Sequence, residues 1–159
     1  MKIALMSDVH AEFHRSEHNW LPPLPDSPDV LVLAGDIHVG KSLIDLIQRI
    51  SDSLPNTHIV FIAGNHEFYR QYRKATLRIY REAFSGHKMI HFLENDFIDI
   101  DGIRFIGATL WTGFPLHVAH HSEEKTMAYA KENVMDFSLI ADEDNTLKVF
   151  TPEKAKSLF

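Results

Sequence analysis

Two seven-residue stretches, Asp29–Gly35 (DVLVLAG) and His58–Gly64 (HIVFIAG), set the strongest limit on what this chain can fold into. Each is a nearly continuous apolar run that stops at a glycine. A strand without a polar face has to be covered on both sides, and that is the situation of a parallel sheet flanked by helices. A shorter run, Lys2–Met6 (KIALM), precedes them. The prolines at 22, 23, 25 and 28 mark Trp20–Pro28 as a loop. Gly40–Leu54 has apolar residues at Leu43, Ile44, Ile47 and Ile50, with Ser42 as candidate N-cap and Pro55 beyond the end, so a helix is expected. Helical spacing returns over Glu67–Phe84, with Phe68, Tyr72, Ala75, Ile79 and Ala83 on one face. Arg70, Lys74, Arg78 and Arg81 fall opposite, as a solvated face. Phe97–Trp111 predicts a hairpin turning at Asp101–Gly102. A helix over His117–Val134 and a last helix opened by Pro152 complete the reading, with the stretch from Met135 to Thr151 irregular. Alternation of this kind implies an α/β fold with a mostly parallel central sheet.

The strand ends carry the chemistry. They read Ser7-Asp8-Val9-His10, Gly35-Asp36 and Gly64-Asn65-His66-Glu67. Ligands of open α/β sheets gather outside the carboxyl ends of the strands. Asp8, His10, Asp36, Asn65 and His66 are therefore expected in one small volume. Asp8 and His10 can chelate one cation, a carboxylate on the middle strand can bridge two, and a carboxamide adds an oxygen without adding charge. There is no cysteine, which excludes disulfides and thiolate ligation. The remaining O/N donors suit Mn, Fe, Zn, Ni or Mg-like ions. Two such ions roughly 3.5–4 Å apart would clamp a phosphoryl group.

Composition narrows the setting. The 159 residues are expected to form one domain, residues 1–159. A net charge of −6 disfavours broad binding to nucleic acid, though not a phosphate-bearing substrate held through metal ions. No window has the apolar length of a membrane span, and Asp8 and His10 interrupt the first apolar run, so the N-terminus does not read as a signal peptide. A cytoplasmic protein is expected.

Taken together, DVH (Asp8–His10), GD (Gly35–Asp36) and GNHE (Gly64–Glu67) resemble the first three motifs of the calcineurin-like metallophosphoesterase family. GNHEFY and the later GATLW (Gly107–Trp111) resemble its small, bacterial-type members. The resemblance implies a four-layer α/β/β/α sandwich, of which this chain would be the N-terminal part. It implies that Asp8 and His10 bind a first divalent ion, that Asp36 bridges two ions and that Asn65 binds the second. His66 would protonate the leaving oxygen or stabilise the transferring phosphoryl group. The implied reaction is attack of a metal-bound hydroxide on a phosphomonoester or phosphodiester, with a small molecule or a phosphorylated partner as substrate.

The family pattern continues with a strand-ending histidine and a Gly-His-x-His motif, and neither is found after residue 85; Gly86-His87 is followed by Lys88 and Met89. The chain is therefore expected to be a truncated member with an incomplete domain. Its first ion would keep Asp8, His10 and Asp36, its second only Asp36 and Asn65, so weak or partial occupancy and impaired activity are expected. A catalytically inactive fragment or degenerate member, acting in binding or self-assembly, is the alternative. Uncovered strand edges would favour a homo-oligomer.

Other candidates receive plainer readings. His38 is expected to be a solvated loop histidine. His117, His120 and His121, like His14 and His18, are expected on polar helix faces, since H-E-x-x-H is absent. Trp111 and Phe114 are expected to fill core. Where large protein phosphatases of the family carry an aspartate that orients the acidic histidine, this chain has Val39, leaving His66 without an identified partner.

Overall fold

The computed structural model describes residues 1–14, 19–114, 122–142 and 148–159. His18, His117, His120 and His121 lie outside the described residues.

The apolar runs form three neighbouring parallel strands, β1 (Ile3–Met6), β2 (Val30–Ala34) and β3 (His58–Ile62), and β4 (Ile90–Phe92) adds a fourth beside β3. Met6 pairs with Leu33, and Leu33 with Phe61, so the first three strands end along one edge. Helix α1 (Ser42–Ser53) connects β2 to β3, and α2 (Arg73–Ala83) connects β3 to β4. The antiparallel hairpin of β5 (Asp96–Ile100) and β6 (Ile103–Gly107) turns at Asp101–Gly102, as the sequence predicts. Helices α3 (Glu123–Asn133), α4 (Asp136–Leu139) and α5 (Pro152–Leu158) follow, α5 opening on Pro152.

Burial explains the unbroken apolar runs. Leu31, Leu33, Ile59 and Phe61 join Leu43, Leu46, Ile47, Ile50, Leu77 and Tyr80 of the helices in one core cluster. Val30 and Val60 belong to a second cluster with Leu93 and Ile100, which Val32, Ile62, Ile98 and Phe105 join from the rim. Alternate residues of β2 and β3 thus serve different cores, helical on one side and hairpin on the other. Fully burying one such side chain stabilises the fold by about 1.5–3 kcal/mol relative to leaving it exposed. Cover is less complete at β1, where Leu5 remains 69% exposed.

The sequence expectation of one helix over Glu67–Phe84 is corrected. A 3-10 turn (His66–Phe68) comes first, and Arg70 takes φ 59 before α2 starts at Arg73. Tyr72 forms a parallel bridge with Ala141, which Ala141 extends to Val149. The break resets the helical face: Arg73, Thr76, Leu77 and Tyr80 are buried, whereas Tyr72 and Ala83 are exposed. Buried Arg73 is neutralised by Asp142, its Nε donating to Oδ1 at 2.9 Å. Arg70, Lys74, Arg78 and Arg81 are exposed, as expected. At α1, Lys41 rather than Ser42 is the N-cap, and it makes no side-chain cap bond. His14 is not helical but ends a 3-10 turn (Ala11–Phe13) and stacks on Trp20 at 3.6 Å.

Candidate metal centre

Three strand ends meet because their backbones are tied together. The amide N–H of Asp8 donates to Gly35 O at 3.1 Å, that of His10 to Asp36 O at 3.0 Å, and that of Ala11 to Ile37 O at 3.0 Å. Asp8, His10 and Asp36 all adopt left-handed backbone, with φ of 52, 46 and 54. Non-glycine residues hold that region at some energetic disadvantage, and it concentrates at functional sites. Gly64 is required by close approach, since a Cβ there would lie 2.2 Å from Asp36 Oδ1.

Glu67 is the internal clamp. Its Oε1 accepts from the backbone N–H of Ile37 at 2.7 Å and of His38 at 3.3 Å, and its Oε2 from Gly64 at 2.7 Å and Asp36 at 3.0 Å. One carboxylate thereby fastens the loop after β2 to the loop after β3. It is fully buried, and burial pushes its pKa up to about 6 against the opposing pull of the Ile37 and Gly64 amides. This inward demand on Glu67 is the physical reason that α2 cannot begin there.

The rim presents nitrogen and oxygen donors. His10, Asp36 and His66 each offer one ligand atom, and these atoms lie within 4.8 Å of one another. Donors spaced like this can surround one divalent ion, whose N and O ligands sit at about 2.0–2.2 Å. Asp36 also accepts the His66 amide N–H on Oδ1 at 2.9 Å. Asp8 stands on the same rim through the hydrogen bond that its amide N–H donates to Gly35 O, but its carboxylate is not in the three-donor group. The Asn65 carboxamide is oriented by a third region: Nδ2 donates to Tyr69 Oη at 3.1 Å and to Asp136 Oδ1 at 2.8 Å. With its NH2 engaged on these partners, its oxygen is the atom left for a cation. Tyr69 also donates to Asp136 Oδ1 at 2.8 Å and stacks on His66 with ring centroids 4.2 Å apart. Burial, with Asp136 adding to it, pushes the Tyr69 phenol up to about 12, so it stays a donor at neutral pH.

Two carboxylates of the site, Glu12 and Asp136, escaped sequence reasoning, and Glu67 was read only as part of the GNHE motif. Glu12 contacts Nδ1 of His66 at 3.0 Å and Nδ1 of His10 at 3.3 Å, both through Oε1. Its other oxygen, Oε2, is buried without a hydrogen-bond partner. Asp136 holds Asn65 from α4, and Glu67 holds the loops. Glu12 had a signal in the sequence, the two-residue rhythm Asp8, His10, Glu12. His38 is corrected: it is buried, not solvated, and its Nδ1 accepts the Val39 N–H at 2.9 Å. Trp111 is buried as expected, packed on Phe150 at 4.4 Å. With Asn65, Thr109, Phe114 and Asp136 it lines a cleft of about 390 Å³.

The family profile described as calcineurin-like phosphoesterase matches residues 1–152. The chain belongs to that family. The general chemistry of that family is metal-dependent phosphoester hydrolysis, with which the O/N donor group at the sheet rim is compatible. The chain is also similar to a protein of Acanthamoeba polyphaga mimivirus, described as uncharacterized protein L509, with 30% identity over 158 residues. That match covers 88% of this chain and 52% of the viral protein, so the chain spans about half the length of that relative. No helix among the described residues is long and apolar enough to cross a membrane.

Proposed function

We propose that this phosphoesterase hydrolyses a phosphomonoester or phosphodiester of a small molecule or phosphorylated partner, with divalent ions held by Asp8, His10, Asp36 and Asn65. One observation carries the reading: His10, Asp36 and His66 converge to within 4.8 Å at the carboxyl ends of parallel strands. When bound, divalent ions supply positive charge to a phosphoryl group and acidify coordinated water. Asp8, His10 and Asp36 would hold a first ion, and Asp36 and Asn65 a second. His66, anchored by its amide on Asp36, would give a proton to the leaving oxygen from its doubly protonated imidazolium form. The donors fit one ion better than two: the first place has Asp8, His10 and Asp36, whereas the second has only Asp36 and the neutral carboxamide of Asn65. Partial loading and low turnover follow from that imbalance, in a protein proposed to be cytoplasmic.

The test is hydrolysis of chromogenic phosphodiester and phosphomonoester substrates with Mn²⁺ by the wild type and by Asp36→Asn. Mn²⁺-dependent turnover that disappears in the variant is expected. No turnover by the wild type with any divalent ion would sink the reading. It would favour a non-catalytic member acting in binding or self-assembly, for which the exposed apolar side chains Leu5 and Ile106 are the supporting observation.

A further inference from the structure

We propose that Glu12 is the positioning residue of the centre, a single carboxylate that holds His10 and His66 together in the tautomer whose Nε2 is the free electron-pair donor. The Glu12 Oε1 atom lies 3.0 Å from Nδ1 of His66 and 3.3 Å from Nδ1 of His10. An ionised carboxylate only accepts hydrogen bonds, so each contact requires the proton on Nδ1. A neutral imidazole has one N–H, and placing it on Nδ1 bares Nε2. The two rings are held edge to face, with centroids 4.3 Å apart. Carboxylate support of this kind orients a ligating imidazole and raises its basicity.

The surroundings of Glu12 point the same way. Its side chain is 14% exposed, and the nearby His38 lies 3.7 Å from Oε2. His38 Nδ1 already accepts the Val39 N–H, so that nitrogen has no proton to give to Glu12. The histidine contacts of Glu12 at hydrogen-bond length are those to His10 and His66. Glu12 thus occupies the orienting role that the Val39 position leaves vacant, supplied from the 3-10 turn after β1 rather than from the loop after β2.

The inference rests on the proposed use of His10 and His66 in phosphoester hydrolysis, but its decisive measurement needs no turnover. Long-range ¹H–¹⁵N NMR of the metal-free protein, at about pH 8 where histidine is ordinarily neutral, reports which ring nitrogen carries the proton. In the wild type, His10 and His66 are expected with the proton on Nδ1. In Glu12→Ala both are expected to move to the Nε2–H form, whereas Glu12→Gln, whose carbonyl oxygen can take the place of Oε1, is expected to retain Nδ1–H on both rings. Mn²⁺ affinity is expected to fall about 10–100-fold in Glu12→Ala and less in Glu12→Gln. Nε2–H at either ring in the wild type overturns the proposal, and that spectrum decides even if Glu12→Ala fails to fold. So do unchanged tautomers in a folded Glu12→Ala. Nδ1–H in the wild type without any Mn²⁺-dependent hydrolysis leaves the positioning intact and removes only the enzymatic reading.

Discussion

Strands β2 and β3 and the hairpin strands β5 and β6 all have five residues, yet they meet opposite fates. Both faces of β2 and β3 are covered, and Glu67 ties the loops beyond their ends. The hairpin turns Ile98, Ile100 and Phe105 inward and leaves Phe97 52% and Ile106 80% exposed. Its Asp99–Arg104 pair is exposed to water, where ion pairs contribute little. A strand clamped on two faces has little freedom to tilt, so the residues just past its end keep their direction. A strand packed on one face covers a core but cannot aim a ligand set with the same precision. The candidate centre accordingly sits on the parallel sheet, and the hairpin serves it as cover.

Substitutions can break this comparison. The largest difference is expected between Phe61→Ala, in the two-faced region, and Phe97→Ala, on the open face of the hairpin. The former should lose roughly 3–5 kcal/mol in urea denaturation and the latter under about 0.5 kcal/mol. Equal losses would show that the hairpin is as constrained as the sheet. Gly64→Ala comes next, because its Cβ would overlap Asp36 Oδ1 at 2.2 Å. It is expected to lose about 1–3 kcal/mol by overpacking and to weaken Mn²⁺ binding in calorimetry. Unchanged Mn²⁺ binding would remove Asp36 from the ligand set.

The clamp itself has a pH signature. Burial pushes the Glu67 carboxyl up to about 6 in the folded chain from an ordinary 4.5, so between these values the folded state binds its proton more tightly. The stability it contributes is full below the unfolded value and is lost as pH rises through the folded one, a loss of roughly 2 kcal/mol. Denaturation midpoints across that window should show this loss in the wild type and not in Glu67→Gln. Parallel pH profiles would mean that the clamp carries no excess proton affinity. The smallest effect is expected for Ile106→Thr, which should change stability by less than about 0.5 kcal/mol. A larger loss would mean that this face is covered in solution.

Much of the frame is legible because its signals are local. The runs at Val30–Ala34 and His58–Ile62, the Asp101–Gly102 turn and the Pro152 helix start depend on neighbours in the chain. Glu67 was not legible as a clamp, since its helical spacing is overruled by backbone amides of Asp36 and Ile37, 31 and 30 residues away. The burial of His38 follows from the same loop and carries no mark in composition. Glu12 and His66 are 54 residues apart, and Asn65 and Asp136 are 71 apart. Residue spacing holds no information about such pairs.

The amino-acid sequence alone determined that apolar strands would run parallel and deliver Asp8, His10, Asp36, Asn65 and His66 to one rim, because hydropathy and strand-ending glycines act over a few residues. Only the tertiary structure decided which carboxylate restrains which donor: Glu12 for the imidazoles, Asp136 for the carboxamide, Glu67 for the loops. A hydrogen bond selects its partner by separation and direction in space, and those exist only once the chain has folded.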